Sequence, residues 1–175
     1  MSNWNEKLTD ANLVKKLSSD FKSSIAIAKV LANRGITSLK SSLPFFYPDL
    51  KNLNDPFLMK NMDLVVNTLI KTIKSKGKIF IFGDYDVDGT TACSALSMFL
   101  NELGCKTKVY IPDRRKEGYG LSKNGVDLAF NWNADLLITC DCGINAIEQT
   151  EYAKQKKINL IITDHHSPDD ELPKI

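Results

Sequence analysis

The chain has 175 residues, 43% apolar and 25% charged, with a formal net charge of +2; this is the composition of globular material with room for one cored domain and a smaller appendage. No apolar run approaches the ~20 residues that a membrane-crossing helix needs, and Met1 to Asp20 is polar and charged instead of signal-like, so a cytoplasmic protein with no membrane association is expected. The balanced charge excludes neither nucleic acid nor its absence, because a basic groove can sit in a balanced chain.

In chain order, Ile25, Ala28, Leu31 and Ala32 recur at helical spacing and close on Arg34-Gly35, predicting a helix with glycine just past its end. The stretch LPFFYPDLKNLNDPF is punctuated by prolines and is expected to be an irregular connector. Leu58, Met62, Val65, Val66, Leu69, Ile70 and Ile73 then return at threes and fours, predicting an amphipathic helix that ends near Gly77. From Lys78 the texture changes. Short apolar runs alternate with helical segments: IFIF, a helix from about Thr90 to Leu103, KVYI, a helix across Gly125 to Trp132, LLIT, a helix across Ala146 to Lys156, and NLIIT. Such alternation predicts an α/β fold, doubly wound, with a mostly parallel sheet covered on both faces. Residues 1–75 are therefore expected to form a helical lead-in, and residues 76–175 the α/β domain. The four cysteines, Cys93, Cys105, Cys140 and Cys142, show neither C-x-x-C pairing nor a histidine at zinc-finger spacing, and are expected to be reduced, mostly buried small hydrophobes.

Each strand exit carries acid. IFIF leads to Asp84, Asp86 and Asp88, VYIP to Asp113, LLITC to Asp141 and NLIIT to Asp164. The carboxyl ends of the strands of an open parallel sheet lie along one rim, where such folds bind ligands. Carboxylates crowded there raise one another's pKa unless a cation compensates them. One aspartate before a helix is an ordinary N-cap, and for Asp113 a cap or turn role is expected. Asp86, Asp88 and Asp141 together exceed what capping requires. His165 and His166, the two histidines of the chain, follow Asp164 directly; mixed carboxylate and imidazole ligands suit manganese, iron or zinc, and carboxylate-rich sites magnesium or manganese. Asp86-Val87-Asp88-Gly89-Thr90 also matches the D-x-D-G-T of aspartate-nucleophile phosphatases, but that chemistry leaves Asp84, Asp141 and the Asp164-His165-His166 triplet without a shared role.

GDYDVDGTT, IPDRRKEGYGLS, TCDCG and TDHH, in that order on successive strand exits, resemble the first motifs of the DHH phosphoesterase superfamily, and within it the RecJ family of bacterial single-strand-specific 5′→3′ exodeoxyribonucleases. LANRGI, FFYPDL and NDPFLMKNMD resemble the region ahead of the first motif in that family. The resemblance implies a two-metal phosphodiesterase with two Mn2+ or Mg2+ ions in the complete protein, single-stranded DNA as partner, and a role in DNA repair and recombination; it names no protein partner. Asp86 and Asp88 resemble the metal-binding aspartates, Asp141 the carboxylate bridging the metals, and His165 the imidazole ligand. His166 resembles the neighbour that faces the scissile phosphate, and Asp84 and Asp164 outer members of the same network. Catalytic roles are thus expected of His166, Asp141 and Asp84.

Two further residues are singled out on physical grounds. Arg114, in the loop after the second strand, can pair bidentately with a phosphate such as the 5′-terminal one, or be a solvent-facing arginine. Tyr119, between two glycines, can stack on a base or anchor its loop. Family members carry a later metal-binding aspartate, a closing domain and a nucleic-acid module that the chain lacks, so an N-terminal fragment of a longer nuclease is expected. Two alternatives stand beside the exonuclease: a DHH-type phosphodiesterase of oligonucleotides or cyclic dinucleotides, and a non-catalytic module that binds a metal or partner through its acidic rim. The pyrophosphatase branch is disfavoured, because it has histidine where this chain has Phe82.

Overall fold

A computed structural model describes Asn5 and residues 7–174; Met1 to Trp4, which open the expected lead-in, lie outside the described residues, as do Glu6 and Ile175. The chain divides into two compact units, one ending at Leu58 and one beginning at Met59.

The first unit contains three helices. α1 (Ala11–Asp20) is capped by the Asp10 side chain, α2 (Ile25–Asn33) by Ser24, and α3 (Leu39–Phe46) by a reciprocal Ser38–Ser41 capping box. Val14 and Leu17 of α1 bury against Ala28 and Leu31 of α2 and against Ile36. Two features depart from the sequence expectation. α1 was not anticipated, because its apolar face is short, with Leu13, Val14 and Leu17 set among polar residues. The first part of the expected connector is helical, with Pro44 inside α3: the capping box nucleates that helix strongly enough to accommodate the proline, whose missing N–H falls in a segment only eight residues long. Short helical turns at Leu50–Asn52 and Pro56–Leu58 complete the connector.

The second unit is a four-stranded, wholly parallel sheet flanked by helices. After α4 (Met62–Lys74), the chain runs through β1 (Lys78–Gly83), α5 (Val87–Glu102), β2 (Lys106–Tyr110), α6 (Lys123–Asn131), β3 (Leu136–Cys140), α7 (Ile147–Gln155) and β4 (Asn159–Thr163). The strand order is β2-β1-β3-β4, the doubly wound α/β arrangement. Because successive strand residues face opposite ways, the continuous apolar runs split between two cores. Phe80, Phe82, Leu137 and Leu160 pack with Val126, Ala129 and Ala153 of α6 and α7. Ile79, Ile81, Leu136, Ile138 and Ile161 pack with Cys93 and Leu100 of α5 and with Val65, Leu69 and Ile73 of α4. The packing of α4 on the sheet places the change of texture near residue 75 inside the second unit. Full burial of a Val, Leu, Ile or Phe side chain such as those of β1 and β3 contributes about 1.5–3 kcal/mol. Cys93, Cys140 and Cys142 are buried, Cys105 is half-buried, and all four are free thiols. Among the described residues, no helix is long and apolar enough to cross a membrane.

Candidate metal centre

The topology fixes where the acids meet. The chain leaves β1 for β2 on one side and returns to β3 on the other, so the crevice between the exits of β1 and β3 is the switch point at which open α/β sheets bind ligands. The register then aligns the acids laterally. Gly83 pairs with Cys140, and Cys140 with Thr163, so Asp84, Asp141 and Asp164 each stand one residue beyond their strand. The ladder continues into them, with Asp84 N–H donating to Cys140 O (3.2 Å) and Asp141 N–H to Thr163 O (2.9 Å). Asp86 caps α5, its carboxylate accepting from Gly89 N–H at 3.0 Å. Gly89 is required there: a Cβ would lie 2.4 Å from Asp84 O, so only glycine lets α5 begin against the end of β1.

One oxygen each from Asp84, Asp86 and Asp141 lies within 4.8 Å of the others, and Asp141 forms a second such group with His165 and His166. Asp141 is common to both. Asp84 is 1% exposed and Asp141 8%, and Asp84 Oδ1 and both Asp141 oxygens are buried without a hydrogen-bond donor. His165 Nε2 approaches Asp141 Oδ1 to 3.0 Å, but the contact does not have the direction of a hydrogen bond. Burial, reinforced by Asp86 and Asp141, pushes the Asp84 carboxyl above its ordinary pKa despite a hydrogen bond from Tyr85 N–H. Burial and Asp86 do the same to Asp141 against the pull of both histidines. Buried, mutually repelling, donorless carboxylate oxygens beside imidazoles fit a divalent cation.

Asp164 differs from Asp84 and Asp141 in being satisfied. Its oxygens accept from Ile144 N–H (2.9 Å), His166 N–H (3.0 Å) and the His166 ring at Nδ1 (2.7 Å). Although burial pushes it up, those bonds hold its carboxyl below the usual range, and the same contact raises His166. Asp164 thus orients the histidine without offering a free ligand atom.

The loop from Asp113 to Ser122 supplies the remaining wall. Glu117 anchors it, accepting from Tyr110 Oη, Asp113 N–H (3.2 Å), Ser122 Oγ (3.0 Å) and Asn124 Nδ2 (3.0 Å). Asp113 takes the expected turn role, accepting from Arg115 N–H at 2.8 Å. Gly118 and Gly120, at φ +78° and +85°, let the chain reverse around Tyr119. The Tyr119 hydroxyl lies 3.1 Å from His166 Nδ1. Arg114 places its guanidinium 5.1 Å from the centre of the Tyr85 ring, and no described residue gives it a hydrogen bond or ion pair.

Asp84, Asp86, Asp141, His165, His166 and Tyr119 are therefore brought together, with Arg114 at the edge. Asp88, expected as a ligand, belongs to neither group of potential ligand atoms; it is exposed on the first turn of α5, where its carboxylate favours the helix N-terminus. Sequence reasoning missed Glu117 and Tyr85. The E-G-Y-G spacing signals a tight turn, but nothing local shows that Glu117 collects four donors from both sides of it.

A family model described as the DHH family, N-terminal domain, matches residues 78–175. The single-stranded-DNA-specific exonuclease RecJ of Bacillus subtilis is 35% identical over 172 residues, 98% of this chain and 22% of that protein. The Escherichia coli protein of the same name is 31% identical over 148 residues, covering 84% of this chain and 25% of the relative. A crystal structure of exonuclease RecJ bound to manganese superposes with a TM-score of 0.62 at 31% identity, over 66% of this chain and 30% of that one. The chain spans about a quarter of the length of these curated relatives.

Proposed function

The chain belongs to the DHH family, and from that premise we propose that it is a metal-dependent phosphodiesterase, a single-strand-specific 5′→3′ DNA exonuclease of the RecJ type serving DNA repair and recombination. One observation carries this: three buried carboxylate oxygens of Asp84 and Asp141 have no donor and sit at the switch point beside His165 and His166. Asp86, Asp141 and His165, with Asp88 after a rotation of its exposed side chain, would hold manganese or magnesium, the relative named above being described as manganese-bound. When bound, two such ions supply an activated water and neutralise charge on the phosphoryl oxygens.

The chain's own residues do the rest. Asp164 fixes the imidazole of His166 so that it faces the acid cluster, and Asp84 keeps negative charge behind Asp141. Arg114 has a free guanidinium steadied on Tyr85 and suits bidentate capture of a 5′-terminal phosphate.

The test has two arms. Calorimetry should detect manganese binding that disappears in a folded Asp141→Asn variant, and the natural full-length protein should digest single-stranded DNA from its 5′ end in manganese. Arg114→Ala should weaken use of 5′-phosphorylated ends more than of 5′-hydroxyl ends. Manganese binding without turnover on any single strand would favour a non-catalytic module. Turnover confined to dinucleotides would favour the oligonucleotide or cyclic-dinucleotide phosphodiesterase.

A further inference from the structure

Beside the acid cluster, on its α7 side, is a cavity of about 170 Å³ bounded by Tyr119, Gly143, Ala146, Gln149, Asp164 and His166. His166 belongs both to the cavity and to the group of potential ligands around Asp141, and Asp164, which holds the His166 ring, lines the cavity as well. Gly143 and Ala146 contribute little side-chain bulk to the lining, and Leu121 and Ile144 give it apolar surface.

Tyr119 forms one wall, and its ring meets those of Tyr85 and His166 at 80° and 81°. Edge-on neighbours of this kind steady the ring while no aromatic lies stacked in parallel on it. Among the polar side chains of the lining, Gln149 is half-buried, and its side-chain amide has no hydrogen-bond partner among the described residues. Its neighbour Asn145 is by contrast engaged, accepting from Asp169 N–H at 2.8 Å and donating to Ser167 O at 3.3 Å. A carboxylate at Asp164 makes the cavity unsuited to a phosphate and suited to a neutral group.

From this arrangement we infer that the cavity is a nucleobase subsite: it takes the base of the nucleotide whose phosphate lies at the acid cluster, with Tyr119 as stacking platform and Gln149 as hydrogen-bond partner of the base edge. Every base has a π-face, and a primary amide offers two donors and one acceptor that exchange on rotation. The subsite therefore accepts all four bases. This inference rests on the phosphodiesterase reading.

The experiment uses the natural full-length protein in manganese with a single-stranded oligonucleotide in which one abasic residue is stepped inward from the 5′ end. At one position the missing base should raise KM about tenfold, the loss expected of one stacked base, with a smaller effect on kcat. Tyr119→Leu should raise KM for ordinary DNA comparably and abolish the further abasic penalty, while KM for Tyr119→Phe, which keeps the ring, should stay closer to the unaltered value. Gln149→Ala, which touches no acid of the cluster, should shrink the abasic penalty with calorimetric manganese binding unchanged. An abasic profile that is flat, or a penalty undiminished in both Tyr119→Leu and Gln149→Ala, overturns the subsite and leaves the exonuclease standing. Absence of any manganese-dependent cleavage of the ordinary oligonucleotide overturns both.

Discussion

The backbone of Asp141 lies at φ +63°, in the left-handed region, where a residue with a Cβ costs roughly 1–2 kcal/mol. Aspartate tolerates that region better than most residues, and here it turns the carboxylate from the end of β3 toward Asp84 and Asp86. The residue combines backbone strain with two buried, donorless oxygens, and the cost of leaving those oxygens unpaired is offset when a cation binds. Asp141→Asn should therefore leave the chelated protein as stable as the unaltered chain or more so, by thermal unfolding. With manganese at a hundred times its dissociation constant, the unaltered chain should gain about 2.7 kcal/mol and the variant close to nothing. An equal gain in both would show that manganese is held elsewhere. At this scale the sequence was legible where the candidate site depends on position along a strand: one residue past the ends of β1, β3 and β4 locates Asp84, Asp141 and Asp164. It was not legible where function depends on side chains meeting across the fold, as when Arg114 comes to rest on Tyr85.

The loop between β2 and α6 behaves as a folded element of its own because Glu117 draws four donors onto one carboxylate. Burial pushes Glu117 up, but the bonds from Tyr110, Asn124, Ser122 and Asp113 outweigh it and hold the carboxyl below its usual range. Burial and the Glu117 contact push Tyr110 up to about 12. The signs follow from linkage. A depressed carboxyl contributes stability that is present above its unfolded pKa and lost as pH falls through the folded one. A raised phenol contributes stability that is present below its unfolded pKa and lost as pH rises through about 12. Glu117→Gln should cost about 1–2 kcal/mol near neutrality, flatten the acid limb of the stability profile, and return the Tyr110 phenol toward its ordinary value by ultraviolet titration. An unchanged acid limb would mean that the loop is held by packing alone. Helix boundaries show the same dependence on caps. The starts expected near Thr90 and Gly125 fall at Val87 and Lys123 because Asp86 and Ser122 cap the first turns. α3 escaped prediction because the prolines of its sequence argue for a connector while a capping box of two serines argues for a helix, and the second effect prevails.

Across the whole molecule, alternating period and apolar runs made a parallel α/β sheet legible, but not the strand order, since β1, β3 and β4 are all apolar enough to be central. The order matches how much of each strand is covered: β1 and β3 are buried along nearly their whole length and take the centre, whereas β2 exposes Lys106, Lys108 and Val109 at the edge. That order makes the candidate metal centre a junction. Asp84 and Asp86 follow β1, Asp141 follows β3, and His165 and His166 follow β4, so a bound cation ties together segments separated by many residues in the chain, and none of these groups comes from the first unit. Native-state hydrogen exchange should record this asymmetry. Manganese should slow exchange at the amides of Asp84, Gly89, Asp141 and His166, whose bonds lie at the strand exits, and leave α1 and α2 unaffected. Magnesium should produce the same pattern at higher concentration, because it demands a stricter octahedron than this mixed imidazole and carboxylate set provides. Slowing that is uniform across both units would instead indicate that the cation stabilises the chain globally, and that the three strand exits are not its point of attachment.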